Sequence, residues 1–199
     1  MTTPRLIRCA DATDQPWRNG GGTTRELLAL PPGPGWQLRL SVADIQADGP
    51  FSVFEGVQRW FVVLQGGGVA LQIAGQPHCL TPTSAPLCFS GAASTSCHLL
   101  DGPTHDLNLM LRGCAGGLEG VLPGRTWSGQ GTACGLFTAE RGQCTVQGRQ
   151  VAVPAMSLLW FDTPPGPMAF AGDAAGTRAW WVWAQLDPSA NPAAGAPSA

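Results

Sequence analysis

Trp17-Arg18-Asn19-Gly20-Gly21-Gly22-Thr23-Thr24-Arg25-Glu26 is the stretch on which the reading of this chain turns. Adjacent glycines permit positive φ and bring backbone N–H groups close to a neighbouring segment or a ligand. Around them stand an indole, two guanidinium groups, an amide, hydroxyls and a carboxylate. A loop that only turned a corner would need the glycines and the Asn, not the rest. Polar donors beside permissive backbone suit the capture of a small molecule. The stretch is not a phosphate loop, which requires a lysine before Ser/Thr, because the chain contains no lysine. Nor is it a dinucleotide fingerprint: its glycines are adjacent, and Pro31-Pro32-Gly33-Pro34 follows where a helix should begin.

Composition agrees with a chain of strands. Among 199 residues, 27 are Gly and 18 are Pro, and only 12% are charged, which favours short strands and turns over helices. A net charge of −2 gives no electrostatic footing for nucleic acid or an anionic membrane, and no apolar run is long enough to span a bilayer. The N-terminus lacks the apolar core of a signal peptide. The seven cysteines, an odd number without C-x-x-C spacing, read as reduced core residues, and the expected location is the cytoplasm.

Strands are expected at Leu6–Arg8, Thr24–Leu30, Trp36–Val42, Arg59–Leu64, Val69–Ile73, Leu87–Ser90, Ser96–Leu100 and Asp106–Arg112. In Trp36–Val42 the apolar side chains Trp36, Leu38, Leu40 and Val42 alternate with Gln37, Arg39 and Ser41. Gln65-Gly66-Gly67-Gly68 reads as the turn of a hairpin. The second half echoes the first at an offset of 72 or 73 residues: Gly75 with Gly148, Leu87–Ser90 with Leu159–Asp162, and Leu107–Met110 with Trp180–Trp183. A duplicated β unit accounts for this spacing. The expected architecture is all-β with very little helix: N-terminal elements and a first barrel over 1–117, a second barrel over 118–186, and a disordered Pro/Ala-rich tail over 187–199.

Four blocks then fall in one order: Trp17–Glu26, Trp36-Gln-Leu-Arg-Leu-Ser41, Asp48-Gly-Pro-Phe-Ser-Val-Phe54 and Asp106-Leu-Asn-Leu-Met110. Spread over about half of the chain, they resemble the HutD/Ves family, whose pattern runs W-[KR]-N-G-G-G-x-T-R-E, W-R-x-S, D-G-P-F-S-x-F, G-x-[DE]-R and D-F-N-x-M. The resemblance implies an RmlC-like bicupin, two double-stranded β-helix (jelly-roll) barrels. It also implies a link to histidine utilisation or, in the Ves branch, to stress, with no established reaction to carry over. Two departures stand out. Gln58 replaces the family's acidic residue before Arg59, which removes an ion-pair partner for that arginine, and Leu107 replaces an aromatic residue.

Metal-dependent cupins present two His, a Glu and a further His to one ion. His78, His98 and His105 show no such spacing, so no metal and no cofactor is expected. No nucleophile elbow is present, and Cys79 and Cys97 beside His78 and His98 point away from their neighbours on a strand. What converges is arginine. Arg25, Arg39, Arg59 and Arg112, with Trp17, Asn19, Thr24, Ser41 and Asn108, are expected to form a donor-rich pocket for a small carboxylate. The family's link to histidine catabolism makes N-formylglutamate or a urocanate-like acid the candidate ligand. The expected protein is a binding module, monomer or homodimer, with a regulatory or accessory role. The alternative is a metal-independent isomerase or hydrolase using Asp106 or Glu26 as acid or base.

Overall fold

The structure, a computed structural model of the chain, describes residues 3–173 and 177–189. The expected loose tail lies outside the described residues from position 190 onward. The strands in chain order begin with β1 (Arg5–Arg8), β2 (Asp14–Pro16), β3 (Gly22–Leu30), β4 (Leu38–Ile45), β5 (Gly49–Pro50) and β6 (Val57–Gln65). There follow β7 (Val69–Ile73), β8 (Gln76–Leu80), β9 (Leu87–Ser90), β10 (Thr95–Leu99), β11 (Thr104–Arg112) and β12 (Gly116–Gly120). The last six are β13 (Ala133–Thr138), β14 (Gly142–Val146), β15 (Arg149–Val153), β16 (Ser157–Phe161), β17 (Met168–Gly172) and β18 (Ala179–Ala184). The helical content of the described residues is one short 3-10 turn, Cys9–Asp11.

The chain divides into two compact units, Thr13–Gly113 and Met1–Ala12 with Cys114–Pro188. In Thr13–Gly113 a six-stranded sheet runs β2-β3-β4-β11-β6-β9 and a four-stranded sheet runs β5-β10-β7-β8. In the other unit the sheets run β1-β16-β13-β18-β12 and β15-β14-β17. The order β4-β11-β6-β9 thus recurs as β12-β18-β13-β16, and β10-β7-β8 recurs as β17-β14-β15. The same two-residue turn also recurs: Ala74-Gly75 and Gln147-Gly148 both take positive φ at both positions, the conformation that suits a tight hairpin between right-twisted strands. This is the bicupin architecture, and the 73-residue echo in the sequence is the duplication seen in strand order.

Two sequence-derived expectations change here. Leu6–Arg8, expected among the elements preceding the first barrel, belongs to β1, which pairs with β16 in the other unit. Arg59–Leu64 and Val69–Ile73 do not form a hairpin: β6 pairs with β11 and β9, while β7 pairs with β8 and β10. Gly66 and Gly68 take positive φ as the chain crosses from one sheet to the other. A Cβ on Gly66 would collide with the Pro103 carbonyl, and one on Gly68 with the Leu80 carbonyl. The glycines therefore serve a close crossing rather than a tight turn.

β4 shows how the sequence sets the site. Leu38, Leu40 and Val42 are buried on one face, as their alternation predicts. Arg39, Ser41, Ala43 and Ile45 take the other face and look into the unit. The apolar floor there is built from Phe61, Val63, Val69, Leu71 and Cys97.

Candidate functional site

A cavity of about 800 Å³ opens in Thr13–Gly113. Of the sequence-predicted residues, Trp17, Asn19, Thr24, Arg39, Ser41, Arg59 and Asn108 line it. They come from β3, β4, β6 and β11 and from the loop before β3, and the strand register explains their convergence. Asn108 lies opposite Ser41 on β4 and opposite Phe61 on β6, while Met110 lies opposite both Arg39 and Arg59.

Arg59 is the distinctive group. Only 5% of it is exposed, and its Nη2 donates to Asn108 Oδ1 at 2.9 Å. Its Nε is buried with no protein partner, and among the described residues no carboxylate pairs with it. Phe51, Phe89 and Phe54 surround the guanidinium at 5.0, 5.2 and 5.9 Å from their ring centres. Burial pulls its pKa down to about 10, and the nearby charge of Arg39 adds to the effect. It stays protonated at neutral pH. Arg39 is compensated: its Nε donates to Glu26 Oε2 at 2.7 Å.

The expected ion-pair loss through Gln58 does not reach Arg59. Side chains alternate along β6, so Gln58 is exposed on the opposite face from the buried Arg59. An acid at position 58 would point away from Arg59 as well.

Two predicted residues stand elsewhere. Arg25 neighbours Thr24 and so points to the opposite face of β3, where it meets Asp14 at 2.6 Å and Asp44 at 2.8 Å. Arg112 lies past the cavity at the end of β11, with its guanidinium 4.3 Å from the centre of the Trp36 ring and Nη1 donating to the Pro34 carbonyl. Neither lines the cavity.

The Gly-rich stretch acts as a wall. Gly20 N–H donates to the Trp17 carbonyl, and Gly21 N–H donates to Asn19 Oδ1 at 3.1 Å, so these amides are used within the loop instead of facing a ligand. Gly22 passes so close to β4 that a Cβ would collide with the Asp44 carbonyl. That close pass sets Trp17 upright: its Nε1 donates to Thr24 Oγ1 at 2.8 Å, and its ring meets Phe51 edge-on.

Sequence reasoning missed the residues of the Asp48–Phe54 block, although it quoted the block. Pro50, Phe51, Ser52 and Phe54 line the cavity, as does Arg18 from the first block. The loop is stitched down: Asp48 accepts from Leu99 N–H and faces His98 Nδ1 at 3.0 Å, Phe51 N–H reaches the Thr95 carbonyl, and Phe54 N–H reaches the Gly91 carbonyl. The paired Phe residues in one short block were the available signal.

The unit formed by Met1–Ala12 and Cys114–Pro188 fills its equivalent interior. Its register places Trp181 where Asn108 stands and Cys134 where Arg59 stands. Trp181 stacks on Trp127 at 5.2 Å within a core that also holds Leu136, Phe161 and Phe170.

A divalent metal does not fit the first-barrel donor set: its guanidinium groups repel a cation, and the amide and hydroxyl oxygens beside them are neutral ligands with no His, Cys or carboxylate among the lining residues. Among the described residues no three His, Cys, Asp or Glu side chains converge. The site suits an anion.

The model of the family described as HutD matches residues 9–179. An uncharacterised 21.2 kDa protein in the hutC 3' region of Pseudomonas putida is 44% identical over 115 residues, covering 55% of this chain and 59% of that protein. The chain thus spans less than two thirds of that relative's length. Protein Ves of Citrobacter koseri is 32% identical over 154 residues, covering 67% of this chain and 78% of that protein. Among solved structures, HutD from Pseudomonas fluorescens SBW25 in a formate condition superposes with a TM-score of 0.77 at 28% identity, over 92% of this chain and 99% of that one. A conserved protein of unknown function from Pseudomonas aeruginosa PAO1 gives a TM-score of 0.77 at 29% identity, over 91% and 97% of the two chains.

Proposed function

The chain belongs to the HutD family, and from that premise we propose that its first barrel is a metal-free receptor for a small carboxylate, serving a regulatory or accessory role in histidine utilisation. The observation that carries this reading is Arg59. A buried guanidinium with an unpaired Nε and no carboxylate partner is costly unless a ligand completes it. A carboxylate would accept charge-assisted hydrogen bonds from Arg59, while Trp17 and Phe51 cover its apolar part. The family's link to histidine catabolism makes N-formyl-L-glutamate and urocanate the probes to use first.

Binding is favoured over turnover because the two side chains proposed as acid or base are poorly placed for catalysis. Glu26 is held by Arg39, and Asp106 does not line the cavity. Thermal melts test the reading. A ligand at a hundredfold excess over its Kd stabilises the fold by about 2.7 kcal/mol. The melting temperature should rise with one of these acids and stay fixed with its uncharged amide. No shift with any small carboxylate would contradict the receptor reading.

A further inference from the structure

Asp106 is fully buried beneath the cavity. It pairs in register with Ala43, which lines the cavity, and shares the inward face of β11 with Asn108. Its Oδ2 accepts from Thr104 Oγ1 at 2.7 Å, and its Oδ1 has no protein partner.

The surroundings are short of positive charge. Thr104 is its only hydrogen-bonding neighbour on β11; β4 supplies Ala43 and the negative Asp44, β6 supplies Val63, and β10 supplies the Cys97 thiol. His105 faces the other way, toward Asp44 Oδ1 at 3.5 Å. Arg39 and Arg59 sit opposite Met110, four residues along the strand, and the Arg59 guanidinium reaches back to Asn108, two residues from Asp106, where a bound anion would neutralise it. Burial raises the Asp106 carboxyl to about 7, Thr104 opposes the rise, and Asp44 adds to it.

An anion held between Arg59 and Asn108 brings negative charge to within about two strand residues, roughly 7 Å, of this carboxyl. In a low-dielectric interior that charge opposes ionisation of Asp106. We infer that Asp106 couples anion binding at Arg59 to uptake of a proton, so that the cavity holds its ligand most tightly on the acid side of neutrality. This coupling rests on the carboxylate-receptor reading and adds its regulation: ligand is released as pH rises.

The sign follows from linkage. The bound state holds the proton to higher pH than the free state does, so affinity is greatest below the free-state value and falls above it, at most about tenfold per pH unit for one linked proton. Calorimetric titration of the full chain with N-formyl-L-glutamate, from about pH 6 to about 8.5 at fixed ionic strength, measures the fall. Two buffers of different ionisation heat report the proton taken up. The parent should lose affinity above about pH 7 with net proton uptake. Asp106→Asn should bind with constant affinity and no uptake. Thr104→Val, which removes the bond opposing the rise, should move the fall to higher pH. PH-independent binding by the parent, an unchanged fall in Asp106→Asn, or an unshifted one in Thr104→Val would overturn the coupling and leave the receptor reading standing. No binding at any pH would overturn both.

Discussion

Arg59 Nη2 donates to Asn108 Oδ1 at 2.9 Å, and among the described residues this amide oxygen is the one hydrogen-bond acceptor given to the buried guanidinium. A fold built for stability alone would place a carboxylate there or no charge. Replacing buried charged groups by apolar residues of similar volume is often neutral or stabilising by about 1–4 kcal/mol. Arg59→Met should therefore melt at or above the parent temperature without ligand, as followed by circular dichroism. A melting temperature several degrees lower would mean that Arg59 serves the fold.

Arg25 makes the opposite case. Its ion pairs with Asp14 and Asp44 are partly exposed, and such pairs contribute up to about 1 kcal/mol. Arg25→Ala should lose about that much stability and keep its full thermal response to a carboxylate. Loss of the response would return Arg25 to the site.

How far the site could be read from sequence depends on periodicity. Thr24, Arg39, Ser41 and Asn108 were legible because side chains alternate along a strand and these positions share a face. The same rule, applied strictly, would have excluded Arg25 as the neighbour of Thr24. Arg112 failed for a different reason: its parity is right, but β11 ends there and the guanidinium lies over the Trp36 ring. The Phe51–Phe54 cage could not be placed by periodicity because a loop carries it, so the pairing of two Phe in one short block was its one signal. The fold was legible through the repeat at an offset of 72 or 73 residues. The β6–β7 crossing was not, because a glycine run between two apolar strands has the same composition in a hairpin and in a close crossing.

Asp106 sets a pH dependence of stability independent of any ligand. Its folded-state value of about 7 lies above the ordinary 3.8, so the folded chain keeps a proton that the unfolded chain has shed. Its contribution is full below about pH 4, falls as pH rises to about 7, and is flat beyond, with a total on the order of 4 kcal/mol. Urea denaturation of the parent and Asp106→Asn should show the variant gaining on the parent between pH 4.5 and 8. A difference that does not change with pH would show that Asp106 is ionised in the folded state.

The thiols should divide by burial. Burial pushes Cys97, Cys134 and Cys144 up to about 12, and Cys9 is also buried, whereas Cys79 and Cys88 are exposed. A thiol reagent near pH 8 should label Cys79 and Cys88 first in the native protein and all seven cysteines after denaturation. Rapid native labelling of Cys134 or Cys144 would contradict the packed core around them.

Calorimetric titration of N-formyl-L-glutamate into the parent and into Arg59→Met decides whether the first barrel is a carboxylate site built on Arg59. The parent should bind at a stoichiometry of one per chain, because the second barrel fills the equivalent positions with Trp181 and Cys134. Arg59→Met should lose affinity by at least about a hundredfold, the loss expected when a charge-assisted contact to a buried guanidinium is removed. Equal affinity in the two proteins, or a stoichiometry of two, would contradict a single carboxylate site built on Arg59.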